Sequence, residues 1–383
     1  MTRASDRPKR LLCISTVSEL YGGERCLLDV VQRLGSGWTP SFVVPKPGRF
    51  EQALRECGYD VRELIIRPGH GRGPLRELPA VARLARIIRS TRADLVHLNL
   101  HFAWPIVSAA CLAARVPLVI HVRNMVEGRP GRVDRWLFQR AAAAICISRA
   151  VQQRLVERGL IGGHRPALVH QIPDGRVLAQ FQGGNGARLR AELGIAAETP
   201  LIGMIARLEP LKGQDIFLKM ALGLAGRLPA ARFAIVGAPM GTRHSAYVHE
   251  LEALARHEAL QGRVSFLGFR EDIPDVLSAL DCLVHPSRTG AFVSVLIEAM
   301  AAGVPIVASD IDGIPECVGR DGVAELVDSL DPAAFGASVL RVVTDADRRN
   351  TMRRLGRERA CGRFAVEPLA RQTERVFAEC LRL

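Results

Sequence analysis

Arg207 and Lys212 stand five residues apart in the run Ala206-Arg207-Leu208-Glu209-Pro210-Leu211-Lys212-Gly213, after the apolar stretch Leu201–Ile205 and before a helical pattern. A planar arginine fork and a movable lysine charge on one short loop suit a diphosphate; two solvated surface cations are the plainer alternative. Further along, Cys282–His285 leads into Pro286-Ser287, then Arg288-Thr289-Gly290-Ala291-Phe292, and a helix expected from about Val293 to Ala302. The unsatisfied N–H groups of such a first turn attract anions. Glu298 lies in that helix among apolar neighbours, where a carboxylate needs a partner. Paired ribose hydroxyls would serve, and so would a structural cation. Near the start, Gly22 and Gly23 precede a helical pattern over about Cys26–Leu34. Glycines there let backbone N–H groups approach a phosphate or sugar, although a tight turn explains them equally well. The spacing is not G-x-G-x-x-G, which argues against a nicotinamide cofactor.

These loops need strands to hold them. Leu11–Val17, Ser41–Val44, Leu95–Leu98, Pro117–Val122 and Ala144–Ile147 read as strands of a first half. Leu201–Ile205, Arg232–Val236, Val264–Leu267, Cys282–His285 and Pro305–Ala308 repeat the rhythm in a second. Continuous apolar runs with helices between them predict parallel sheets covered on both faces, hence two doubly wound α/β domains. The polar, glycine-rich stretch Gly175–Thr199 contains the boundary, placed after residue 178. The second domain then covers 179–365, and 366–383 forms an amphipathic helix packing back on the first domain.

The 383 residues carry 52 basic and 39 acidic side chains, a formal net charge of +13. Residues 1–200 hold 30 basic and 16 acidic groups (+14), leaving 22 and 23 (−1) for the remainder. No nucleic-acid reader motif accompanies this charge and aromatics are only 5%, so nucleic acid is not an expected partner. Nine scattered cysteines without a C-x-x-C pair predict free thiols in a reducing compartment. The first residues lack a signal-peptide core, and Pro105–Val122 is too interrupted to span a membrane. The expected location is cytoplasmic, with peripheral contact at the inner membrane face. Two segments suit that contact, Pro74–Arg92 and Gly128–Arg140, where arginines mix with apolar residues including Trp136 and Phe138; helices that pack on the sheet and expose their arginines explain them equally well.

The chain resembles the retaining glycosyltransferases of family 4, with their GT-B fold of two Rossmann-like domains facing a central cleft. The resemblance rests on YGGE near the start, ISRAV at 147–151, IPDG at 172–175, RLEPLKG at 207–213 and FLGFREDIP at 266–274. HPSRTGAF at 285–292, EAMAAGVPIVASD at 298–310 and GIPE at 313–316 complete it. It implies that the first domain binds an acceptor and the second a nucleotide-diphosphate sugar. By the same resemblance Arg207 and Lys212 neutralise the diphosphate. Gly22, Gly23, Phe292 and Val293 assist, Glu298 holds the ribose, and Gly268, Phe269 and Arg270 border the base. His121 matches a position beside the reacting sugar; a histidine satisfying a strand-end hydrogen bond is the plainer reading. The implied reaction is same-face substitution on the sugar. A lipid-linked or anionic acceptor, in cell-envelope polysaccharide or glycolipid synthesis, would explain the basic first half. No metal or other cofactor is expected, because Asp310-Ile311-Asp312 lies within a loop motif and Asp345-Ala346-Asp347 reads as a helix start.

Two departures stand out. The family pattern E-G-F-G-x-x-x-x-E appears here as Gly290-Ala291-Phe292-Val293 through Glu298, so glycine replaces the glutamate that usually touches donor-sugar hydroxyls. The I-P-N-G turn has Asp174 for asparagine, and Arg176-Val177 follows it. These changes leave open a second reading, a degenerate GT-B protein that binds nucleotide or glycan without turnover.

Overall fold

The computed structural model describes residues 7–45, 47–66, 77–162, 169–239 and 244–382. It divides into two units: Met1–Gly175 with Val366–Leu383, and Arg176–Ala365. The sheet of the first unit comprises β1 (Lys9–Ile14), β2 (Trp38–Val44), β3 (Asp60–Glu63), β4 (Leu95–Leu98), β5 (Leu118–Val122), β6 (Ala143–Cys146) and β7 (Val169–Gln171). Its strand order is β3-β2-β1-β4-β5-β6-β7. The second unit contains β8 (Leu201–Ile205), β9 (Arg232–Val236), β10 (Val264–Gly268), β11 (Cys282–His285), β12 (Ile306–Ser309) and β13 (Ala324–Val327), ordered β10-β9-β8-β11-β12-β13. Every pairing is parallel. Both sheets are therefore of the expected doubly wound kind.

The second unit shows why its strands read as unbroken apolar runs. Leu201, Leu283, Ile306 and Ala308 belong to one core, with Leu296, Ile297 and Met300 of helix Ser294–Ala302. Their strand neighbours Ile202, Met204, Cys282, Val284 and Val307 belong to the other, with Ile216, Phe217 and Met220 of helix Gln214–Leu224. Side chains alternate across the sheet, but both faces are covered, so both phases of the alternation are apolar.

The unit boundary lies at Gly175/Arg176, a little before the position expected from sequence. Arg176 already bonds within the second unit, its N–H donating to the Phe364 carbonyl at 2.9 Å. Helix Val366–Cys380 belongs to the first unit: Leu369, Val376 and Phe377 enter the core containing Leu11, Phe42 and Val119. Trp38 packs edge-on against Phe377 at 5.6 Å and donates from Nε1 to Glu374 at 3.0 Å. Burying such side chains contributes roughly 1.5–3 kcal/mol each, enough to fix the last helix to this unit.

Candidate functional site

In an open parallel sheet the ligand site lies beyond the strands' carboxyl ends, where the chain order reverses. In the second unit that point falls between β8 and β11, so the loops 206–213 and 286–293 both start there. They are laced together. The Arg288 N–H donates to Leu211 O at 2.8 Å, and Ser287 Oγ lies 3.0 Å from the same oxygen. The Arg288 guanidinium binds Pro210 O and both carboxylate oxygens of Asp215, at 2.6, 2.8 and 2.7 Å. Tyr247 Oη donates to Asp215 Oδ1 at 3.0 Å. Gly213 permits the crossing: its φ is +79°, and a β-carbon there would stand 2.0 Å from Pro286 O. Only glycine, lacking a β-carbon, allows that backbone conformation together with that approach.

Arg207 and Lys212 both lie on this laced loop. Arg207 is held by Glu209, Nη2 to Oε1 at 3.0 Å, with its side chain 40% exposed. Gln214 Nε2 fixes the Arg207 carbonyl at 2.7 Å. Lys212 is half-buried, and among the described residues no carboxylate pairs with it. Burial holds its ammonium below the usual lysine value; the Arg207 charge adds to this and Glu209 opposes it. An anion meeting Lys212 therefore encounters a poorly solvated charge that Glu209 offsets only in part, where attraction is strong. His285 ends β11 fully buried, pushed down to about 3 by burial and then by Lys212.

The helix opens at Ser294, with Val293 as an N-cap that receives no side-chain hydrogen bond. Phe292 is half-buried and packs edge-on against Phe364 at 5.6 Å. Glu298 is buried and paired: Arg176 Nη2 lies 3.1 Å from its Oε1. The cation that follows the altered I-P-D-G turn is thus the structural partner of Glu298. Gly268 has φ +63° and accepts the Gly237 N–H at 2.7 Å, while Phe269 is 42% exposed beside it. The Arg270 side chain is committed elsewhere, to Glu192 at 2.7 and 3.0 Å and to Asp272 at 2.8 and 2.6 Å. Only the backbone at 270 is left to border a ligand. At Gly290 a β-carbon would stand 2.8 Å from Ile314 Cγ1, so the place of the family glutamate is partly filled by an isoleucine.

In the first unit the order reverses between β1 and β4. Gly22 and Gly23 are the first residues of helix Gly22–Val31 rather than a loop before it. A β-carbon on Gly23 would lie 3.3 Å from Arg123 Cδ, so packing favours glycine there. Behind them lies a buried polar network. Glu24 accepts from Ser15 Oγ at 3.2 Å and Asn99 Nδ2 at 3.3 Å. Asn99 Oδ1 accepts from Arg123 Nε at 3.0 Å, and Arg123 Nη1 pairs with Asp174. Arg123 Nη2 reaches His121 Nδ1 at 3.3 Å, and His97 Nε2 stands 3.3 Å from that same nitrogen. Arginine only donates, so His121 is neutral, accepts at Nδ1 and carries its proton on Nε2. Burial lowers its pKa well below the ordinary value, with Arg123 and then His97 adding to the effect.

Asp174, the departure from the I-P-N-G turn, is therefore the counter-charge of a fully buried arginine. Arg123→Met leaves Asp174 and Glu24 without their cation and is expected to destabilise the first unit by about 3–5 kcal/mol. Asp174→Asn, which keeps an acceptor, is expected to cost less than Arg123→Met. Chemical denaturation of the three proteins measures this; equal costs would show that charge is immaterial there.

Among the described residues no three His, Cys, Asp or Glu side chains converge on a point that could hold a metal ion. Asp310 is engaged by Arg320 at 2.6 and 2.8 Å, and Asp345 caps helix Ala346–Phe364 by accepting the Arg348 N–H at 2.9 Å. Residues absent from the sequence-based site are Arg288, Asp215, Gln214, Tyr247 and Arg176. Arg288 carried a local signal, its place beside Ser287 after β11, and Arg176 showed as a departure from the family turn. The others act through pairings distant in the chain.

Two doubly wound parallel sheets, one with cations on laced loops at its switch point, define the GT-B class of α/β protein. The model "Glycosyltransferase Family 4" matches residues 21–175, and "Glycosyl transferases group 1" matches residues 186–359. The chain belongs to glycosyltransferase family 4. A D-inositol 3-phosphate glycosyltransferase of Nocardia farcinica is 34% identical over 212 residues, and one of Segniliparus rotundus 30% over 207. These alignments cover 53% and 54% of this chain and 45% of each relative, so the chain spans about half the length of the curated relatives it matches. Crystal structures of HepE from Anabaena in complex with UDP, and with UDP and glucose, superpose with TM-scores of 0.82 and 0.83 at 25% identity. Each covers 96% of this chain and 99% of that one. A glycosyltransferase of Rickettsia africae shares the fold with a TM-score of 0.82 at 17% identity.

Proposed function

We propose that this protein transfers a hexosyl group from a uridine diphosphate sugar to an acceptor hydroxyl, with retention at the anomeric carbon. The observation that carries the reading is Lys212, a half-buried cation ion-paired to no carboxylate among the described residues, on a loop fastened to the strand-to-helix turn 286–293. Such a site neutralises the charge that develops on a departing diphosphate. UDP in the HepE complexes supports the choice of base. Among the described residues the carboxylate that acts on Lys212, Glu209, is tied to Arg207 rather than placed as a covalent nucleophile, so same-face substitution fits, with a phosphate oxygen of the leaving group taking the acceptor's proton. His121, whose buried Nε2–H has no partner among the described residues, is the first unit's candidate hydrogen-bond donor to a ligand. Nothing in this reading calls for a metal ion.

Nucleotide binding is tested by thermal shift and calorimetry with UDP, GDP, ADP and their hexose conjugates. UDP at 100 times its Kd is expected to stabilise the second unit by about 2.7 kcal/mol, with smaller shifts from GDP and ADP. No shift with any nucleotide would refute the reading. Gly290 favours a second one, a protein that binds nucleotide without turnover. Product formation separates the two: UDP binding with neither transfer nor donor hydrolysis across the panel would support the inactive form.

The acceptor is proposed to be anionic, in keeping with the +14 charge of residues 1–200 and the phosphorylated acceptor in the names of the inositol relatives. A lipid-linked acceptor at the inner membrane face is the finer proposal, placing the enzyme in cell-envelope glycolipid or polysaccharide synthesis. Its support is the surface of helix Arg132–Phe138, where Val133 and Trp136 are 61% and 48% exposed and Arg140 stacks 4.9 Å from the Trp136 ring centroid. The other basic segment is less suited: residues 74–76 lie outside the described ones, and helix Leu78–Ser90 buries Leu84, Ala85 and Ile88. No described helix is long and apolar enough to cross a membrane. Binding to vesicles containing phosphatidylglycerol, but not to pure phosphatidylcholine, is the expected result, weakening with salt and on Trp136→Ala. Equal behaviour on both vesicles would remove the membrane from the proposal.

A further inference from the structure

Asp312 is one of four described non-glycine residues with a left-handed backbone, at φ +51°. Such a conformation is disfavoured for a residue with a β-carbon and persists where surrounding contacts enforce it, often at functional sites. The contacts here are specific. Asp312 Oδ2 accepts the Gly290 N–H at 3.0 Å and the Thr289 hydroxyl at 2.9 Å. The next residue, Gly313, donates its N–H to Gly290 O at 2.8 Å. The carboxylate is therefore clamped to the main chain at 290, where this sequence lacks the expected glutamate. Both bonds use one oxygen, and among the described residues no cation pairs with Asp312. The residue is partly exposed. Its clamp also connects to the cationic loop, because Ser287 Oγ joins Thr289 O at 2.7 Å and Leu211 O at 3.0 Å.

From this geometry we infer that Asp312 supplies the carboxylate that holds hydroxyls of the donor sugar, in place of a side chain at 290. Its two bonds to residues 289 and 290 orient Oδ2, and Oδ1 accepts from the ligand. A hydroxyl donating to a charged oxygen makes a stronger bond than one between neutral groups, and a carboxylate can only accept while it is ionised. Asp312 is reached from a different loop than a side chain at 290 would be. The sugar hydroxyls it selects therefore differ from those read by the usual arrangement, making it a specificity-determining residue. The inference rests on the proposed nucleotide-sugar site and deepens it.

The test separates sugar from nucleotide. Affinities for UDP and for UDP-hexoses (glucose, galactose, N-acetylglucosamine) are measured on the wild type, Asp312→Asn and Asp312→Gly. Asn keeps an acceptor for the Gly290 N–H, and Gly relieves the left-handed backbone, so at least one variant folds by design; melting curves confirm which. Both are expected to bind UDP within about twofold of wild type and to lose tenfold or more for the preferred UDP-hexose. kcat/KM is expected to fall in parallel and the order of preference among hexoses to change. Equal loss for UDP and UDP-hexose, or no loss for either, would overturn the role. A wild type that binds no nucleotide at all would instead sink the proposed function, a pattern distinct from both.

Discussion

Lys212→Ala is expected to lower kcat/KM for sugar transfer by about 10²–10³, the usual effect of removing one preorganised positive group from developing charge. In the proposed reaction the leaving diphosphate gains charge as the glycosidic bond breaks, and Lys212, ion-paired to no carboxylate among the described residues and offset only in part by Glu209, would meet it. Arg207→Ala is expected to cost less, because Glu209 already neutralises part of that charge at 3.0 Å. Arg207→Lys is not expected to restore it, since a point charge cannot keep both the Glu209 contact and a two-oxygen grip on phosphate. The stability readout separates chemistry from folding. Lys212 is held at a depressed pKa by burial, so its removal relieves desolvation and leaves Tm unchanged or raised. Steady-state kinetics with UDP-hexose and a melting curve on the same samples check both parts. Transfer within twofold of wild type would remove Lys212 from the mechanism, and lost transfer with lowered Tm would make it a structural lysine.

The inner strands were legible because burial on both faces makes every position apolar, as in Leu201–Ile205 and Cys282–His285. The strands that escaped are sheet edges. β3 reads Asp-Val-Arg-Glu, β7 reads Val-His-Gln, and β13 carries Glu325 within Ala-Glu-Leu-Val. An edge strand has one neighbour and at most partial cover, so its sequence tolerates charge and loses the apolar run. The first helix began four positions earlier than its periodicity suggested, because Gly22 and Gly23 have poor helix propensity and read as loop.

The site was legible where residues act locally and illegible where they act in pairs. Arg207, Lys212 and Gly213 announce themselves by spacing after a strand. Asp174 and Arg176 were visible only as departures, because their partners lie far along the chain. Arg123 answers Asp174, and Glu298 answers Arg176. In each case a buried charge entered with its counter-charge, as the cost of leaving either alone requires. The Gly290 change has the same form. Viewed alone it removes a carboxylate, but the folded chain brings Asp312 to the same main-chain position.

Acid is expected to unfold the first unit before the second. His97 is pushed down to about 3, and His101 to about 4, by burial, with Arg123 adding at His97; His121 is lowered by the same causes. Among the described residues of the second unit, His285 behaves this way, at about 3. An unfolded histidine takes up a proton near pH 6.5, whereas these folded ones do so only several pH units lower. Below 6.5 the unfolded chain therefore binds more protons, and the free energy of unfolding falls as pH falls. The loss is about 1.4 kcal/mol per pH unit for each histidine, so three in one unit give up to ~4 kcal/mol per unit. Glu24 acts in the opposite sense, because burial raises its pKa and the folded state accepts its proton first. Its contribution begins only as pH approaches the carboxylate range, below the window in which the histidines act. Against a total stability of about 5–15 kcal/mol, the first unit should lose cooperative folding near pH 5. Calorimetry at pH 7.5, 6.5 and 5.5 is expected to show one transition dropping steeply and another much less. His101→Phe, which keeps the stack on Phe102 and Trp104, should flatten the steeper one by about a third. A first transition unchanged between pH 7.5 and 5.5 would mean that these histidines are solvated or already charged in the fold.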